Sequence, residues 1–151
     1  MHRSRSALVV AATPSLATHL SAWLKPAGWL VSTAHSYGAA KSRLEHGPDL
    51  LITELELGDY NGLQLALRAQ GCHVPALVIG RQDAVLERDA EQLGSIYLRK
   101  EELDEHRFMV AVDAKLASFK YLIPAACRNV EFARRPWSLR LSPATRRLLL
   151  N

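Results

Sequence analysis

Five short apolar runs, each followed by a stretch with helical spacing, leave this 151-residue chain few architectures to adopt. The runs are Ala7 to Ala11, Trp29 to Ala34, Leu50 to Glu54, Val74 to Ile79 and Ser95 to Arg99. Short, nearly continuous apolar runs suit strands buried on both faces. Thr13-Pro14 predicts an N-cap and a proline at the first helical position, with Leu16, Leu20, Trp23, Leu24 and Ala27 at helical spacing and Gly28 closing the helix after Pro26. Ser36 caps an expected helix carrying Tyr37, Ala40 and Leu44, which Gly47-Pro48 stops. Further helices are expected over Gly62 to Gln70, over Ala84 to Leu93 with Gly94 as the C′ residue, and from Glu101 to about Phe119. Strands alternating with helices imply βαβ units and a parallel sheet covered on both faces. Right-handed crossovers then favour a flavodoxin-like (βα)5 doubly wound sheet of strand order 2-1-3-4-5.

Composition narrows the function classes. The chain is 48% hydrophobic and 23% charged, ordinary for a globular domain. No run approaches the roughly 18 to 20 apolar residues of a membrane span. Two arginines precede the apolar run at Ala7, but that run is too short for a secretory signal and Thr13-Pro14 follows at once. Cys72 and Cys127 lie in different segments, and the six histidines give no zinc spacing. Cys72-His73 is read as part of an extended approach whose side chains point apart, which disfavours a nucleophile–base pair. Neither a GxGxxG nor a P-loop pattern occurs, and nothing argues for an enzyme. A cytoplasmic protein with free thiols and no membrane contact is expected.

The stretch from Pro48 to Leu63, PDLLITELELGDYNGL, carries the chemistry. It reads as a buried strand ending in the acidic Glu54, then a polar Gly-containing loop, then a helix starting near Gly62. In open α/β sheets ligands bind at the carboxyl ends of strands, so Glu54 stands where chemistry is expected. This stretch resembles the phosphoacceptor segment of response-regulator receiver domains. ALVVAATPSL, VPALVIG and IYLRKEEL match further parts of that family in order, so the resemblance runs from about Ser6 to Leu116.

The resemblance implies a site, and most of the family's chemistry is missing from it. Glu54 holds the phosphoacceptor aspartate's position. The acidic pair that helps to hold magnesium is matched by Ala11 and Ala12, or by Ala12 and Thr13 if the register slips by one. Magnesium wants hard oxygen ligands in near-octahedral array, so the metal site is expected to be lost and no cofactor is expected. The hydroxyl residue after the fourth strand is Gly80. The lysine after the fifth strand is kept as Lys100, and the aromatic residue three before it as Tyr97. Glu101 replaces the proline that follows the lysine, so that loop is expected to differ in shape.

Glu54 then has two readings. Its carboxylate, one methylene further out than an aspartate's, imitates a phosphoaspartate in reach of Lys100 and holds a constitutive active state, or the two residues merely neutralise each other. A buried charge demands a partner under both readings. Tyr97 is either a switch that rotates inward and outward or a fixed contact residue on the surface of the fourth and fifth helices. The resemblance implies an atypical receiver that signals by protein–protein contacts without phosphorylation. Its partner, or a second copy in a homodimer, would meet the fourth helix, fifth strand and fifth helix.

Charge divides the chain. Residues before Ala117 carry 12 Lys and Arg against 14 Asp and Glu, whereas those from Ala117 carry 7 against 1. The expected organisation is a receiver-like domain over residues 1–119, a linker over 120–136 and a basic tail over 137–151. The tail, WSLRLSPATRRLLLN, resembles the opening hairpin of the winged-helix effector in OmpR/PhoB-type regulators. The rival reading is therefore the N-terminal regulatory part of a DNA-binding transcriptional regulator, with DNA as partner only if an effector domain follows. A tail that docks on the receiver-like domain itself is the alternative.

Overall fold

The structure, a computed structural model, describes residues 4–128, of which 119–128 as helical backbone alone. Five parallel strands form its main sheet: β1 (Ser6–Val10), β2 (Leu30–Ala34), β3 (Leu50–Glu54), β6 (Ala76–Gly80) and β7 (Ile96–Arg99). Their spatial order is β2-β1-β3-β6-β7, which is the expected 2-1-3-4-5 when only these strands are counted. A two-stranded hairpin, β4 (Glu56–Leu57) with β5 (Tyr60–Asn61), interrupts the loop after β3. Helices α1 (Pro14–Leu24), α2 (Tyr37–Leu44), α3 (Gly62–Gly71), α4 (Ala84–Gln92) and α5 (Glu105–Arg128) cover the sheet.

Burial explains why the apolar runs became strands. Every residue of β3 and β6 is buried, while the edge strands β2 and β7 are mostly half-buried or exposed. Successive side chains of a strand point to opposite faces. Leu51 and Leu55 thus join Leu8, Val10, Leu63 and Leu86 in one core, and Leu50 and Ile52 join Val9, Leu20, Leu24 and Phe108 in the other. Full burial of one such leucine stabilises by about 1.5–3 kcal/mol. Glu54 has the parity of Leu50 and Ile52, so it is directed to the α1 and α5 side of the sheet.

Short polar side chains set the helix starts. Ser36 Oγ accepts from the Ala39 amide at 3.3 Å, Asn61 Oδ1 from Leu63 at 2.8 Å, and Asp83 Oδ1 from Val85 at 3.0 Å and Leu86 at 3.2 Å. At α1 the expectation fails in part. Thr13 occupies the N-cap position, yet its hydroxyl makes no capping bond. Pro26 falls in a 3-10 turn over Lys25–Ala27 that follows α1.

The last helix differs from the sequence reading at both ends. Lys100–Glu102 is a 3-10 turn, and α5 begins at Glu105 because Asp104 Oδ1 accepts from the Arg107 amide at 2.8 Å. α5 continues past Phe119 to Arg128, through the first part of the expected linker. Lys120, Leu122, Ala125 and Ala126 favour that continuation, while Pro124 within it opposes helix. The rest of the linker and the tail from 137, with its expected hairpin, lie outside the described residues. Cys72 and His73 also depart from an extended approach. Cys72 caps α3, and His73 has a φ of 58°.

Candidate functional site

Strand register gathers the candidate residues at one edge of the sheet. Val10 lies opposite Thr53, Glu54 opposite Ile79, and Gly80 opposite Arg99. One residue further along each strand come Ala11, Gly80 and Lys100. Ligand sites of open α/β sheets form at this carboxyl edge.

Glu54 is the centre of the cluster and only 4% exposed. Its Oε1 accepts from Lys100 Nζ in an ion pair and from Thr13 Oγ1 at 3.1 Å, and its Oε2 accepts from the Thr13 amide at 3.2 Å. Burial taken alone would raise the carboxyl. The Lys100 hydrogen bond, the Thr13 amide, the Lys100 charge and the Thr13 hydroxyl together outweigh it and hold the pKa below the ordinary 4.5. Glu54 is therefore a carboxylate at neutral pH, and it ties the β1–α1 loop, the end of β3 and the end of β7 together. The hydroxyl diverted from capping α1 is the one that serves it.

The segment Ala11–Thr13 offers no carboxylate beside Glu54. Ala11 is fully buried, its amide donates to the Ala34 carbonyl at 3.1 Å, and its own carbonyl lies 3.0 Å from His35 Nδ1. Ala12 is exposed, and Thr13 spends both of its donors on Glu54. Among the described residues no group of three or more His, Cys, Asp or Glu side chains is placed to hold a metal ion.

Gly62 and Gly80 are fixed by space. A Cβ on Gly62 would run into the Glu54 carbonyl oxygen and lie 3.1 Å from Leu55 Cα, so α3 can start this close to β3 only with glycine. At Gly80 a Cβ would meet the Tyr97 hydroxyl. Tyr97 is half-buried against the core that contains Leu55, and its hydroxyl donates to the Arg81 carbonyl at 2.5 Å. Its phenol is pushed up to about 12, first by burial and then by the negative charges of Glu87 and Asp83, against the pull of Arg81, with Glu101 adding to the rise. Sequence reading paired neither Tyr97 with Arg81 nor Thr13 with Glu54. A threonine just after the first strand was the available signal for the second pair.

The surface of α4, β7 and α5 carries a chain of ion pairs. Arg99 grips Glu87 with Nε at 2.5 Å and a second nitrogen at 3.2 Å, and reaches Glu102 at 3.7 Å. Arg107 meets Glu102 at 3.3 Å and Asp104 at 3.7 Å. The bond to Arg99 lowers the Glu87 carboxyl and raises the Arg99 guanidinium. Tyr97, Leu98 and Leu103, with Arg99, Glu102 and Arg107 of these charged residues, line a shallow cavity of about 140 Å³.

No family sequence model and no curated protein matches the chain. Solved structures do. A CheY-like response regulator receiver domain protein from Methanospirillum hungatei JF-1 matches with a TM-score of 0.71 at 15% identity, over 79% of this chain and 98% of that one. The fold is that of receiver domains. A response regulator receiver protein from Burkholderia phymatum matches with a TM-score of 0.65 at 25% identity, over 75% of this chain and 95% of its own. The BeF3-activated N-terminal receiver domain of Klebsiella pneumoniae RstA matches with a TM-score of 0.65 at 17% identity, over 74% and 98%. The receiver fold thus accounts for about three quarters of the chain and nearly the whole of each of these solved structures.

Proposed function

We propose that this protein is an atypical receiver domain that acts in response-regulator signalling by protein–protein contacts, without phosphorylation and without catalysis of its own. Glu54 holds the phosphoacceptor position. The observation that carries the reading is the full engagement of the Glu54 carboxylate by Lys100 and by both donors of Thr13. A phosphoacceptor must offer a free carboxylate oxygen to the incoming phosphoryl group, and this one is buried with both oxygens occupied.

The metal chemistry of the fold points the same way. Magnesium requires oxygen ligands in near-octahedral array. Ala11 and Ala12 bring methyl groups, and Thr13 is committed to Glu54, so the residues present do not fit the ion. The cross-link that a metal and a phosphoaspartate would make between the loops is supplied here by one carboxylate and one lysine. This favours a permanently set state over simple neutralisation, because the same contacts also fix the start of α1.

A partner protein or a second copy of the chain would dock on the surface of α4, β7 and α5, where Arg99 and Arg107 alternate with Glu87, Glu102 and Asp104. No helix among the described residues is long and apolar enough to cross a membrane, and a cytoplasmic place suits a receiver. Amide NMR with magnesium and beryllofluoride tests the reading. The resonances of Thr13, Glu54, Gly80 and Lys100 are expected to stay in place, and their displacement at stoichiometric ligand would overturn it.

A further inference from the structure

Strand β2 ends the sheet on one side, and its own sequence does nothing to protect that edge. The Leu30 amide donates to the Arg5 carbonyl, and the Ala34 carbonyl accepts from the Ala11 amide. Backbone groups alternate in direction along a strand, so Leu30, Ser32 and Ala34 bond toward β1 while Val31 and Thr33 turn theirs to the open side. The strand carries no charge and no proline, and Leu30 is 62% exposed. Edges of this kind invite pairing with another chain. On the opposite edge β7 has its own Arg99, locked to Glu87 and Glu102. At β2 the defence comes from a helix. Arg43, in the last turn of α2, donates from one guanidinium nitrogen to the Thr33 carbonyl and to Ser32 Oγ, the latter at 3.1 Å.

We propose that β2 is a pairing edge for a second copy of this chain and that Arg43 is the guard that holds it shut. A strand edge meets its own copy around a two-fold axis, and such a contact is self-complementary. With the axis at Ser32, Val31 of each copy lies opposite Thr33 of the other, and each such pair exchanges both of its backbone hydrogen bonds. Leu30 then stands across from the small Ala34. Both Val31–Thr33 pairs use the Thr33 carbonyl, which Arg43 occupies. Because Arg43 also reaches Ser32, the two guanidiniums would meet beside the axis, and like charges facing each other across a strand pair repel. Arg43 is exposed, so its departure from the edge leaves the core intact. This edge lies across the sheet from α4, β7 and α5, and the inference does not depend on the function proposed for that surface.

The test combines sedimentation equilibrium with amide hydrogen exchange on the full chain, unmodified and as Arg43→Ala. Arg43→Ala is expected to self-associate about tenfold more tightly, because the Thr33 carbonyl is then released without loss of a charge-assisted bond. The Val31 and Thr33 amides are expected to exchange fast in the unmodified chain, and in Arg43→Ala to become protected as concentration rises. Adding Val31→Pro to Arg43→Ala is expected to cancel the gain, since proline removes an amide that faces away from β1 and is tolerated on such an edge. Association of Arg43→Ala no tighter than that of the unmodified chain would overturn the proposal. So would a gain that survives Val31→Pro, or one that leaves both amides exchanging freely, because the contact would then lie on another surface. Should the proline variant fail to fold, exchange at Val31 and Thr33 in Arg43→Ala decides by itself. Protection of these amides that grows with concentration in the unmodified chain would show an edge already open and overturn the role of Arg43.

Discussion

Replacing Lys100 with methionine isolates the buried pair, because it removes the cation and leaves the Glu54 carboxylate in place. The Lys100 side chain is 40% exposed, so the lysine itself gives up little in leaving. The cost falls on Glu54, which is 4% exposed. Breaking a fully buried pair costs about 3–5 kcal/mol, and a hydrogen bond to a charged group contributes about 1.5–3 kcal/mol. The two bonds from Thr13 remain, and water reaches the vacated site, which places the loss near 2 kcal/mol at pH 7. The pH dependence carries its own sign. In the unmodified protein the Glu54 carboxyl is depressed, so the pair's stabilisation is present above the unfolded value of 4.5 and lost as pH falls through the folded value. In Lys100→Met burial is opposed by Thr13 alone, the folded carboxyl rises, and protonation relieves the variant. Urea unfolding followed by tryptophan fluorescence should therefore give a deficit of about 2 kcal/mol at pH 7 that shrinks below about 1 kcal/mol near pH 4. A deficit within about 0.5 kcal/mol at both pH values would mean that the pair is open in solution, and the reasoning would fail.

Two further substitutions probe the frame around the site. Asp83→Ala removes the side chain that caps α4 through two amides, and thermal unfolding should report a loss of about 1 kcal/mol. Gly62→Ala forces a methyl group against the Glu54 carbonyl, and urea unfolding should report a loss of about 2–3 kcal/mol, well above the small gain that glycine-to-alanine gives in an open helix.

The fold was legible because its signals are local. Runs such as Leu50–Glu54 and Ala76–Gly80 are apolar enough to be strands without any knowledge of their neighbours, and Ser36 marks a helix start by its own chemistry. The hairpin Glu56–Leu57 with Tyr60–Asn61 was not legible. Two-residue strands have no period to read, and this hairpin is held by Leu57 in the core and by Tyr60 stacked on Tyr37 at 4.5 Å. Helix α5 outran its expected end: Pro124 and a fading apolar stripe look like a linker, because a proline in a helix interior forfeits a backbone hydrogen bond, yet the helix runs through it to Arg128.

At the site, Glu54 and Lys100 were found from motif positions and stand as an ion pair. Thr13 was read as a cap because a threonine before proline usually is one. Its turn toward Glu54 depends on β1 and β3 being neighbours, which is a fact of topology. The contact of Tyr97 with Gly80 and Arg81 likewise joins two strands and has no trace in either segment alone. Local chemistry named the residues, and register decided what they touch.

The most direct test of the central claim is the intact mass of the full chain after incubation with acetyl phosphate and magnesium. The account predicts an unchanged mass, because the Glu54 carboxylate is already held by Lys100 and Thr13. A gain of one phosphoryl group that disappears in Glu54→Gln would contradict it and make this chain a phosphorylated switch.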